Sequence, residues 1–149
     1  MILDALTQFS SAQALTTAGT IASTNVMDLS VARDMGIAHY ELKILAQVRA
    51  TFTSGGAATL QVLVQGSTDN ATFYTMAQGP TAALASLAAG ARPLQIDMPR
   101  PAAGQAMPRY IRLAYVVATA DMTGGTIDGY LVVDRYDNVD YPSGIIVLN

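Results

Sequence analysis

The sequence predicts an all-β protein, a two-sheet jelly-roll sandwich of about seven to eight strands with extended N- and C-terminal arms. Three observations carry that expectation. Apolar and polar residues alternate with a period of two over several short segments, the mark of strands with one wet and one dry face. Glycine pairs at 55–56 and 124–125 separate such segments. Prolines at 93, 99, 101 and 108 fall between them, where a missing N–H does least harm to a strand ladder.

Residues 1–18 read as an N-terminal arm. Ile2, Leu3, Leu6, Phe9 and Leu15 are large apolar residues, yet Asp4 interrupts them and no Lys or Arg precedes Arg33, so the segment lacks the basic region and unbroken apolar core of an export signal. Ordering it against a ready-made apolar surface returns about 1.5–3 kcal/mol for each large side chain buried, against about 1–2 kcal/mol per residue for fixing the backbone. That surface belongs either to the body of the protein or to a neighbouring subunit.

The body spans residues 19–134. Residues 21–29 form a first strand, with a further short strand near 34–38. In residues 41–52, Leu42, Ile44, Ala46, Val48, Ala50 and Phe52 alternate with Glu41, Lys43, Gln47 and Arg49. Ser54, Gly55 and Gly56 then supply a turn, and Leu60, Val62 and Val64 return in residues 59–65, so the two segments read as a hairpin. After the turn residues 67–70 comes a short strand over 72–76. The Ala- and Leu-rich residues 81–89 are the one helical candidate, ended by Gly90 as a C-cap. A strand over 94–98 precedes an exposed proline-bearing loop over 99–108. Residues 109–118 place Ile111, Leu113, Tyr115 and Val117 on one face. Gly124 and Gly125 close a second expected hairpin, returning through residues 126–134. Residues 135–149 read as a C-terminal extension, polar and tyrosine-bearing, then apolar at Ile145, Ile146, Val147 and Leu148.

Composition narrows the function. Only 13% of the 149 residues are charged and 51% are hydrophobic, with a formal net charge of −3. A thinly charged surface with exposed apolar patches favours burial in an oligomer or larger assembly. The acidic balance and single Lys argue against nucleic acid, whose phosphates demand clustered cations. No apolar run approaches the roughly 18 residues of a membrane-spanning helix. With no cysteine, the chain has neither thiol chemistry nor disulfides.

Little in the sequence points to catalysis. His39 is the only histidine, which rules out a multi-histidine metal cluster and leaves one non-carboxylate candidate base. None of the nucleophile-elbow, zincin, Walker or dinucleotide-binding motifs is present. Asp134, Asp137 and Asp140, with Asp128 upstream, suggest carboxylates for calcium, but their spacing is not that of an EF-hand. A carbohydrate-binding jelly roll is the alternative function. Without tryptophan, its ring-stacking platforms would have to be tyrosines such as Tyr40, Tyr74, Tyr110, Tyr136 and Tyr141.

Whole segments of the chain resemble a known family. The opening MILDALTQFSSAQALTT, the following STNVMDLSVARDMG, the segment TFTSGGAATLQVLVQGS and the stretch RYIRLAYVVATADMTGGTIDGYLVVD are similar to the jelly-roll capsid cement, or decoration, proteins of tailed bacteriophages. The resemblance runs from Met1 to about Asp134. It implies a structural, non-enzymatic protein without cofactor or metal, held on the virion capsid surface after assembly in the host cytoplasm. Its partner would be the major capsid protein, whose neighbouring subunits it would bridge as a homo-oligomer, a dimer before a trimer, with no nucleic acid or membrane partner. The expected capsid or intersubunit contacts are Ile2, Leu3, Leu6 and Phe9 on the first arm, and Tyr136, Tyr141, Ile145, Ile146, Val147 and Leu148 on the second. The extension past Asp134 is longer than the resemblance leads one to expect. The apolar tip of this extension either adds to a neighbour's sheet edge or forms a last strand of the same subunit's sheet.

Overall fold

A computed structural model describes residues 5–34 and 42–133. Its strands are β1 (Gln8–Ala14), β2 (Gly19–Ala22), β3 (Met27–Asp28), β4 (Leu42–Thr53), β5 (Thr59–Ser67), β6 (Tyr74–Gln78), β7 (Ala82–Ala83), β8 (Leu94–Asp97), β9 (Tyr110–Ala118) and β10 (Gly124–Val133). Two antiparallel sheets result. One runs β1-β10-β4-β8 and the other β2-β9-β5-β6, with the two-residue strands β3 and β7 pairing to β9 and β5. This is the strand order of an eight-stranded jelly roll, in which nearly every connection passes from one sheet to the other.

The alternation read from the sequence decides which faces meet. Ile44, Ala46 and Val48 of β4, with Ile127 and Leu131 of β10, point inward from one sheet. Leu60, Val62 and Val64 of β5, with Ile111, Leu113, Tyr115 and Val117 of β9, face them from the other. Fully burying one such side chain is worth about 1.5–3 kcal/mol, so this shared interior is the main stabilising term.

Three expectations change. First, β4 and β5 do not pair, and neither do β9 and β10; each consecutive pair lies in opposite sheets. Among the described residues, the only hairpin linking consecutive main strands is β5–β6, which turns through Ser67, Asp69 and Asn70. A dry face says that a strand covers the core, but not whether its neighbour in sequence lies beside it or across from it. The crossing loops hold one another instead. The Ser54 hydroxyl donates to the Asp121 carbonyl at 2.6 Å, the Ala18 N–H donates to the Asp121 carboxylate at 2.7 Å, and the Thr123 N–H donates to the Thr53 carbonyl at 2.7 Å. Gly125 is required there. Its φ is +107°, and a Cβ would fall 2.5 Å from the Phe52 ring.

Second, residues 81–89 are not a helix. Ala82–Ala83 pair with β5, Leu84–Ser86 make one 3-10 turn, and Leu87 enters the core. Alanine-rich propensity is a weak prior. Here it is overridden because the Leu87 and Ala91 carbonyls accept from the Phe52 and Val48 N–H groups, continuing the edge of β4 beyond β8.

Third, the eighth strand lies inside the segment read as an arm. Gln8–Ala14 pairs antiparallel with β10, Gln8 opposite Tyr130 and Ala14 opposite Thr126. Phe9 and Leu15 are each 1% exposed. A register shift after Gln8 lets consecutive residues Phe9 and Ser10 both be buried. The short strand expected near 34–38 falls largely outside the described residues, as do residues 1–4 and the C-terminal extension.

Candidate interaction surface

The sandwich has two distinct ends. At one end lie the crossing loops joined through Ser54, Asp121 and Thr123. At the other the chain enters β1 and leaves β10, and residues 23–34 and 98–109 pass over it. Hydrogen bonds tie this second end together. The Met98 N–H donates to the Leu42 carbonyl, the Arg109 N–H to the Ser67 carbonyl, and the Tyr74 hydroxyl to the Ala106 carbonyl.

Residues 23–34 form a strap along this end, laced to both sheets. The Ser23 N–H donates to the Leu113 carbonyl and the Ser23 hydroxyl accepts from the Leu113 N–H. The Asn25 N–H donates to the Phe9 carbonyl, and its side-chain amide to the Gln8 carbonyl. Met27 and Asp28 pair with Ile111 and Tyr110. The Leu29 N–H then donates to the Arg109 carbonyl, and the Arg33 N–H to the Pro108 carbonyl. Asp28 and Arg109 make a two-pronged ion pair at 2.9 and 3.0 Å, and the guanidinium also lies 4.9 Å from the Tyr110 ring centre. That guanidinium holds the Asp28 carboxyl below its ordinary range, helped by the Ser30 N–H. Farther along, Asp34 pairs with Arg100 at 3.1 Å.

A segment so tied presents its apolar side chains at fixed positions. The exposed large hydrophobic residues among the described ones are Leu6 (84%), Val31 (56%), Met107 (43%) and Val26 (37%), and all of them stand on or beside the strap. Leu6 and Val26 share the wall of a groove of about 400 Å³ with Gln8, Thr24, Asn25 and Met27. Val31 and Met107 lie on the two strands of loop joined by the Arg33–Pro108 hydrogen bond. Leu6 and Val26 at the groove, and Val31 and Met107 beside the Arg33–Pro108 hydrogen bond, give the strap two small exposed apolar patches. The Asp28–Arg109 ion pair lies between them along the segment, and the patches are the kind of apolar anchors that protein interfaces use.

The residues singled out from the sequence separate on this map. Leu6 stands at the surface end. Phe9 is a correction: its ring fills the protein's own core and offers nothing to a partner. Ile2, Leu3, Tyr136, Tyr141, Ile145, Ile146, Val147 and Leu148 lie outside the described residues. So do His39, Tyr40, Asp134, Asp137 and Asp140. Asp128 accepts from the Ala12 N–H at 2.6 Å and stands 3.9 Å from Arg49. Val26 falls within the strand expected over 21–29, which the structure divides into β2 and β3 with Val26 exposed between them. Val31 and Met107 are isolated apolar residues in loops, with no periodicity to flag them. Among the described residues no group of three or more His, Cys, Asp or Glu converges, and no helix is long and apolar enough to cross a membrane.

Comparison with known families bears on the whole sandwich at once. A family model described as Bbp16 matches residues 9–131. The chain belongs to the Bbp16 family. The match begins at Phe9, within β1, and ends at Leu131, within β10, so the family extends over both sheets and includes the strap. Comparison with curated proteins finds no match.

Proposed function

We propose that this Bbp16-family chain is a structural, non-enzymatic virion protein that decorates an icosahedral phage head and stabilises it by bridging neighbouring major capsid protein subunits. The observation that carries this reading is the strap end, where Leu6, Val26, Val31 and Met107 are exposed together on a hydrogen-bonded frame. The resemblance of its segments to jelly-roll cement proteins supports the same reading, as does a chain only 13% charged. A shell loaded outward by packaged DNA gains from any protein whose contacts must break before capsomers part. Repeated modest contacts suffice, because engagement of one site makes the next effectively intramolecular.

The test is occupancy on cognate heads. Val31→Asp and Met107→Asp place charge on exposed loop positions where the fold tolerates it. Each should lower occupancy at a fixed protein concentration about tenfold, the effect of losing one apolar anchor. Full occupancy by both variants on purified heads would overturn the role of the strap, and failure of the unmodified protein to bind heads would overturn the function.

A further inference from the structure

The outward face of the β2-β9-β5-β6 sheet carries a cation that the fold holds in place and leaves without an anion. Arg112 of β9 lies opposite Gln65 of β5, and because Leu113 and Val64 beside them point into the core, both point outward. The Arg112 ε N–H donates to the Gln65 side-chain carbonyl at 2.8 Å, and the guanidinium lies 3.6 Å from the centre of the Phe73 ring. A hydrogen bond at one edge and a ring against one face fix the plane of the fork. Among the described residues nothing accepts from its two terminal nitrogens, whose donors are spaced to meet a carboxylate two-pronged.

The described part of the chain has no carboxylate to spare. Asp28, Asp34 and Asp97 pair with Arg109, Arg100 and Lys43, while Asp69 and Asp121 accept from backbone N–H groups. Asp128 accepts from the Ala12 N–H and stands 3.9 Å from Arg49. Arg112 is half-buried, and that burial pushes its pKa down. A cation that has lost water without gaining an anion favours a partner that brings one.

The surroundings suit a protein surface. Leu63 lies opposite Ala114, and Val116 opposite Gln61, on the same outward face, so half-buried apolar side chains extend from the guanidinium across an open sheet. Small ligands favour concave sites, whereas a held Arg beside apolar contact area is what protein interfaces concentrate.

We infer that Arg112 is a second anchor on the head, taking an Asp or Glu side chain of the major capsid protein between its terminal nitrogens while Leu63 and Val116 cover apolar surface beside it. The inference rests on the decoration reading for the identity of the partner. A second copy would supply a described carboxylate only by breaking a contact which that carboxylate already makes.

The test uses the full-length chain on purified cognate heads. Arg112→Gln should melt with the unmodified protein yet bind heads about tenfold more weakly, the loss of one charge-assisted contact, and its binding should depend less on salt. Arg112→Lys adds one amine to a chain whose single lysine is Lys43. A carbodiimide activates the capsid carboxylate, the new amine attacks its acyl carbon, the urea leaves and an amide forms. Mass spectrometry should then find position 112 joined to a capsid Asp or Glu, with the Lys43–Asp97 pair at 3.2 Å as the internal control for coupling. If Arg112→Gln melts lower, the cross-link decides by itself. Full occupancy by Arg112→Gln on heads that the unmodified protein decorates overturns the anchor alone. So does a missing cross-link at position 112 where the control couples, or a cross-link there to another copy of this chain. Heads left bare by the unmodified protein overturn the decoration reading, and the capsid partner with it.

Discussion

Two polar clusters show how single residues fix this fold. Ser10 is wholly buried, and its hydroxyl lies 2.8 Å from the Tyr115 hydroxyl and donates to the Gln13 side-chain carbonyl at 2.7 Å. Since Tyr115 belongs to β9 and Ser10 to β1, the bond joins the two sheets through the core. Burial drives the Tyr115 phenol well above its ordinary pKa, so it stays neutral and able to donate. A Cβ at Gly129 would fall 2.8 Å from that hydroxyl, which explains a glycine in mid-strand. Tyr115→Phe should cost about 1 kcal/mol by chemical denaturation, the net worth of one such bond. The effect should shrink when Ser10→Ala is already present. Asp69 organises the β5–β6 turn by accepting from the Ala71 and Thr72 N–H groups and the Ser67 hydroxyl. The two backbone donors, more than the hydroxyl, lower its pKa from 3.8 to about 2. A lowered carboxyl stabilises the fold fully above its unfolded pKa, and that contribution fades as pH falls through about 4 towards about 2. Asp69→Asn should therefore flatten the acid limb of a melting-temperature profile in that window, while an unchanged limb would show that other carboxylates set it.

At the scale of elements, β1 carries the sharpest consequence. Deleting residues 1–18 removes Phe9, Ser10 and Leu15 and strips β10 of one of its two neighbours, leaving only β4 beside it. Losing Phe9 alone should cost about 3–5 kcal/mol, so the deletion should abolish cooperative unfolding, whereas deleting residues 1–4 should leave the melting transition in place. Circular dichroism melts distinguish the two truncations. β1 is hard to read from sequence because QFSSAQA holds one large apolar residue, and its second buried position, Ser10, is polar. The long strands are legible for the opposite reason. Ile111, Leu113, Tyr115 and Val117 alternate without a break and are all buried. Segment 81–89 departs from its helical reading because Ala and Leu suit a helix locally, while β4 needs its carbonyls.

The whole molecule is built almost entirely from pairings between segments distant in sequence. β1 pairs β10, β4 pairs β10 and β8, and β2 and β5 both pair β9. Long-range pairings must close large loops before they return any free energy, so refolding should take milliseconds to seconds, as for other β sandwiches. Stopped-flow fluorescence of the tyrosines would measure it, and a microsecond phase carrying the full amplitude would contradict this topology. The same connectivity brings residues 6, 23–34 and 99–108 to one end and so creates the strap surface.

The sequence by itself determined that this is an all-β sandwich and which face of its long strands, such as residues 111–117, meets the interior, since those follow from a two-residue period. Tertiary structure alone decided which strands are neighbours, that residues 8–14 belong to the sheet, and that Val26, Val31 and Met107 are exposed at the same end of the sandwich. Alternation fixes the face of each strand but is blind to its partner. Partner choice is a long-range competition among strands for edges and core, settled only when the chain closes on itself.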